Sequence, residues 1–133
     1  MSKWGVEKSQ KYTDNFGGIY LDEKGILNVG LVVSNSELKQ IQQNSPYGDS
    51  VIYRKYEYSN NELQNIKFEV EKIVSDNHID SIVSIEDKEN VVSIVLMKKT
   101  SKALLKKSLR KQGIYKRKAI KIKVDSDTFI LLD

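Results

Sequence analysis

Two stretches of this chain carry the same helix-starting signal, Ser34-Asn35-Ser36-Glu37 and Ser59-Asn60-Asn61-Glu62. In each, the serine oxygen is placed to accept from the backbone amide three residues on, while the glutamate reaches back to the serine's own amide. Leu38 and Ile41 follow the first signal at helical spacing; Leu63, Ile66, Val70, Ile73 and Val74 follow the second. Short β-rich runs lie before, between and after these helices. Such a chain must bury a 3.6-residue and a two-residue apolar period together, which demands a mixed core of helix and sheet.

The β-rich runs come with turn chemistry. Gly18-Ile19-Tyr20-Leu21 and the run from Ile26 to Val33 are joined by Asp22-Glu23-Lys24-Gly25, an acidic link ending in the residue that most readily takes a positive φ. Val51 to Tyr58 reads as a strand, after a break at Asn44 to Ser50 that holds the only proline, Pro46. Ser81–Ile85 and Val91–Met97 read as a second hairpin around Glu86 to Asn90. Thr100 or Ser101 is suited to cap a third helix reaching Gln112, with Leu105 and Leu109 inward and Gly113 as its stop. Ala119 to Val124 alternates apolar and basic residues, as a strand with one wet face does, and Thr128 to Leu132 is an apolar strand or tail. The reading is an α+β fold, with antiparallel sheet covered by two to three helices in the order ββ-α-β-α-ββ-α-β. Residues 15–133 form one domain behind a polar arm at 1–14. The echo between 34–41 and 59–66 reads as two good helix starts, since a solenoid needs a third copy.

Composition removes much chemistry. The 133 residues include no cysteine and one histidine, which excludes disulfides, thiolate nucleophiles, thiolate zinc and a multi-histidine metal site. His78, between Asp76 and Asp80, stands where the long helix ends, a structural place for a histidine. No Gly-x-Ser-x-Gly accompanies it. The acidic pairs Asp22-Glu23 and Glu86-Asp87 fall in hairpin turns, where carboxylates are solvated rather than paired across a cleft. Gly17-Gly18 precedes a strand and not a helix, so it has no phosphate-cradling context. The chain is therefore read as a non-enzyme with no catalytic residue, metal or cofactor. No apolar run approaches the ~20 residues of a membrane helix.

Charge is the strongest deviation from an ordinary domain. The net charge is +4, yet residues 98–123 hold twelve Lys/Arg and no Asp/Glu. Lys102, Lys106 and Arg110 fall on the third helix, and Lys116, Arg117 and Lys118 in the loop after it. Such a surface reads first as a solvated face that keeps the protein soluble; it also suits a protein partner, or nucleic acid or another anionic surface bound with steep salt dependence. Tyr115 is the only aromatic within it, so base stacking has little support. Tyr56 and Tyr58 form a second candidate contact, because tyrosine joins an apolar body to a polar tip; strand residues packed under a helix explain them equally well.

The hairpins also carry a family resemblance. Gly18-Ile19-Tyr20-Leu21-Asp22 with Gly25-Ile26-Leu27-Asn28-Val29-Gly30-Leu31 resembles the opening hairpin of bacterial prodomains of the alpha-lytic protease and streptogrisin group. Ile79-Asp80-Ser81 and Asp87-Lys88-Glu89-Asn90-Val91-Val92-Ser93-Ile94 are similar to their second hairpin, where an Asp and an Asn flank the turn. The similarity spans roughly residues 16–97. It departs in an aliphatic second hairpin and a lysine-rich third helix. The resemblance implies a module that binds a chymotrypsin-fold serine protease, assisting its folding or inhibiting it, through sheet edges and a C-terminal segment. Phe129 and Leu131 would be the contacts of that segment. It implies an extracellular place; without it the polar N-terminus suggests the cytoplasm. A protein partner is the first expectation, and nucleic acid through 98–123 the alternative.

Overall fold

The computed structural model describes residues 14–114 and 118–125. The expected arm at 1–14, save Asp14, and Lys116, Arg117, Phe129 and Leu131 lie outside these residues. The fold is α+β, and its elements follow the expected order. They are β1 (Phe16–Leu21), β2 (Leu27–Leu31), α1 (Asn35–Asn44), β3 (Val51–Lys55), α2 (Asn60–Asp76), β4 (Ser81–Glu86), β5 (Val91–Leu96), α3 (Ser101–Lys111) and β6 (Ile120–Val124).

The chain gathers into two compact units. The first runs to Glu62 and includes the turn Asp87–Asn90; the second comprises Leu63–Glu86 and the residues from Val91 onward. Each is built on the same plan. In the first, β1 and β2 are antiparallel, Leu21 facing Leu27, and β3 returns parallel to β2, from Leu27↔Val51 to Leu31↔Lys55. In the second, β4 and β5 are antiparallel and β6 lies parallel to β5, from Val92↔Ile120 to Leu96↔Val124. The sheets are therefore mixed and not wholly antiparallel. A helix between second and third strands carries the chain back to its starting end, so the return strand must run parallel. The duplication lies in this ββαβ plan; the echoing segments 34–41 and 59–66 are simply two helix starts.

Local signals explain the elements. Ser34 closes a full capping box, its Oγ accepting from Glu37 N at 3.2 Å while Glu37 Oε1 accepts from Ser34 N. Ser59 Oγ likewise accepts from Glu62 N at 3.1 Å. The expected Thr100 cap does not form. A leading turn takes over, Ser101 N donating to Lys98 O and Lys102 N to Lys99 O, so the first amides need no side chain. In the second unit, Leu63, Ile66 and Val70 of α2, Val92, Ile94 and Leu96 of β5, and Leu105 and Leu109 of α3 are buried together. Each such side chain stabilises the fold by roughly 1.5–3 kcal/mol relative to exposure.

Both helices of this unit stop in the same way. Gly113, at φ 75°, donates to Arg110 O, and Ile114 N donates to Leu109 O. His78, at φ 54°, donates to Ser75 O, and Ile79 N donates to Val74 O. This is the paired bonding of a left-handed helix stop, with a buried isoleucine after each. His78 therefore holds a position that favours glycine, at a penalty of about 1–2 kcal/mol for a side chain. Replacing His78 with Gly is expected to raise stability by about 1 kcal/mol in urea unfolding; a loss of stability would show that the imidazole has a contact of its own.

Candidate functional site at a sheet edge

The first unit has little aliphatic core and is centred on Tyr56. Its ring rests on glycine. A Cβ at Gly30 would lie 2.2 Å from the ring, and one at Gly17 would lie 2.7 Å away. The phenol donates to the carbonyl of Asp87 and lies 3.3 Å from that of Lys88. Asn90, at φ 60°, accepts from the amides of Glu57 and Tyr58 at 3.0 and 2.8 Å and donates to Tyr58 O at 2.8 Å. Burial, with the negative charge of Asp87 and the nearby Tyr20 phenol, pushes the Tyr56 hydroxyl up to about 12, against a smaller opposing effect of Arg54.

That turn also guards a sheet edge. In the β1–β2 ladder Asp22 N donates to Ile26 O; by alternation Ile19 and Leu21 turn their backbone groups outward. Asp87 Oδ2 accepts from Ile19 N at 3.2 Å, so a carboxylate takes the place of a neighbouring strand. The opposite edge, β3, is guarded as well: Gln42 accepts from Tyr53 N at 2.9 Å and donates to Val51 O at 3.1 Å. In the second sheet β6 carries Lys121 and Lys123, the kind of charge that discourages strand addition.

β4 differs from the other three. Met97 N donates to Asp80 O, so along this ladder Ile82, Ser84 and Glu86 face β5 while Ser81, Val83 and Ile85 turn N–H and C=O outward. Among the described residues no hydrogen bond reaches that outward row. The strand has six residues, no proline, no lysine and one charge, Glu86 at its end. Ile82 is 58% exposed on it. Ser81 Oγ is buried and lacks a partner among the described residues. Long, apolar and unguarded, such an edge is a template for another strand.

The residues expected to make contacts fall on both units. Lys102, Lys106 and Arg110 occupy one row of α3 at four-residue spacing, with Lys118 exposed beyond it. Lys106 and Arg110 already interact within the chain. Tyr56 is not a surface residue: β3 ends at Lys55, short of the expected Tyr58, and the chain then folds Tyr56 inward onto the glycines. Tyr58 is half-buried, with its backbone fixed by Asn90. Among the described residues no cluster of His, Asp and Glu is arranged to hold a metal, and no helix is long and apolar enough to cross a membrane. Comparison with protein-family models gives no match, and no curated protein matches the sequence.

The elevated Tyr56 value has a signed consequence. The folded state keeps this proton to about pH 12, whereas the unfolded phenol loses it near ~10. Its contribution is full below ~10 and disappears as pH rises through the folded value. Tyr56→Phe is expected to cost about 1–3 kcal/mol at neutral pH and to flatten the stability profile above pH ~10. Unfolding curves that fall equally in both proteins across that window would contradict the assignment.

Proposed function

We propose that this chain is a non-catalytic protein-binding module that receives an extended segment of its partner along β4. The observation that carries the reading is the contrast between edges: two are guarded by side-chain amide or carboxylate, one by lysines, and β4 by nothing among the described residues. Outward groups on Ser81, Val83 and Ile85 would supply main-chain hydrogen bonds to an added strand, and Ile82 an apolar side-chain contact. The resemblance of both hairpins to serine-protease prodomains supports a chymotrypsin-fold protease as the partner, with inhibition or folding assistance as the outcome.

Two substitutions test the pairing. Val83→Pro removes an outward donor and leaves the β5 ladder its bonds, because proline is tolerated on an edge. Ile82→Lys places a guarding charge where the partner would lie. With purified chymotrypsin-fold proteases, the unmodified chain should form a complex and slow peptide hydrolysis, and each variant should weaken the complex by at least about tenfold, or 1.4 kcal/mol. Complexes of unchanged affinity in both folded variants would remove β4 from the interface. Salt-sensitive retention on heparin, abolished by glutamine at Lys102, Lys106 and Arg110, would favour the nucleic-acid alternative instead.

A further inference from the structure

The first unit holds a cavity that the strand-addition reading does not use. Tyr20, Asn28 and Ile52 stand in register across β1, β2 and β3, and Tyr20 and Ile52 line a concavity of about 390 Å³. Its cationic groups are Arg54, Lys24 and Lys88; Asp22 and Glu23 also border it, and Ile26 completes its apolar wall.

Arg54 is held in place from below. Its Nε donates to Asn28 Oδ1 at 2.6 Å. Asn28 is wholly buried, and its amide nitrogen donates to Ile26 O at 2.9 Å and to Asp22 Oδ2 at 3.2 Å. Asp22 Oδ1 accepts from the backbone of Lys24 and Ile26, each at 2.9 Å. The Ile26 amide bond, with help from Asn28 and Lys24, holds the Asp22 carboxyl below its ordinary value, so it stays charged at the foot of the relay. The Asp22–Asn28–Arg54 chain thus spends the guanidinium's Nε inward. Among the described residues no hydrogen bond or ion pair reaches its two terminal nitrogens.

We infer that this cavity binds a single carboxylate presented by a polypeptide, with Arg54 as its anchor. A guanidinium oriented through Nε keeps terminal donors for an oxyanion, and orientation in advance lowers the ordering cost of binding. Charge count selects the class. Three cations against two carboxylates leave the lining one unit positive, the complement of a carboxylate and not of a dianionic phosphate. Tyr20, Ile26 and Ile52 supply apolar wall for the carbon stem behind the charge. The site lies on the first unit and stands whether or not β4 receives a strand.

The full chain, labelled with nitrogen-15, tests this by amide-shift titration at constant ionic strength. N-acetylglutamate amide presents a side-chain carboxylate, N-acetylleucine a terminal one, and N-acetylglutamine amide is the neutral control. The expected result is saturable shifts at Tyr20, Ile26, Ile52 and Lys88 with at least one carboxylate and none with the control. The tighter of the two acids identifies the source. Arg54→Gln should weaken binding by about tenfold or more, and Lys24→Gln with Lys88→Gln, which leave the Asn28 relay intact, by a smaller factor. Absence of saturation, equal shifts with the neutral amide, tighter binding of inorganic phosphate, or full affinity in folded Arg54→Gln would each overturn the inference.

Discussion

Every three-stranded sheet has two outer strands, and on each of them alternate N–H and C=O groups point away from the ladder. Those groups need water, a side chain or another strand. The described residues form two such sheets with four such edges, and the treatment of each edge organises much of the rest. Gln42 is placed on α1 so that its amide meets Val51 and Tyr53. Asp87 is placed in a hairpin turn so that its carboxylate meets Ile19. Lys121 and Lys123 put charge on β6. β4, with an exposed isoleucine and no such device among the described residues, is where the pattern breaks.

The two units reach stability by different means. The second follows the ordinary route, with leucine, isoleucine and valine from two helices buried with a central strand. The first buries Asn28, Asn60 and Asn90 along with Tyr56 and Val51. Such polar centres are specific because each donor and acceptor must be met; a buried polar group left unpaired costs about 1–3 kcal/mol. The amide groups of Asn28 and Asn90 are met on both the oxygen and the nitrogen. Glycine at 17 and 30 is fixed by the approach of the Tyr56 ring, and not by backbone conformation at these two positions. An alanine there would have to displace an aromatic side chain whose hydroxyl is tied down.

What could be read from residues in order was local. Capping boxes, the spacing of Leu63, Ile66, Val70 and Ile73, the turn at Asp22 to Gly25 and the stop at Gly113 depend on neighbours within a few residues, and the element order follows from them. The parallel return of β3 and β6 depends on pairing across tens of residues, and nothing in the strands themselves announces direction. Strand alternation carried past Lys55 leaves Tyr56 open to either a contact or a packing role; the turn that fixes it inside lies about thirty residues on. Asp22, Glu23 and Asp87 lie at turns as expected, whereas Glu86 ends β4 and pairs with Val91; a turn carboxylate that closes another strand's edge has no sequence mark. The open edge at β4 is visible only as a lack of charge, and its meaning depends on knowing which strands are outermost.

Amide hydrogen exchange along β4 in the isolated chain tests the central claim most directly, because it needs no partner. If the outer row is open, the amides of Val83 and Ile85 exchange quickly while Ile82 and Ser84, bonded to β5, are protected. Tyr53, closed by Gln42 on its own outer edge, should be protected as well. Uniform protection from Ile82 to Ile85 would mean that the edge is already occupied, and that β4 is not where a partner strand is received.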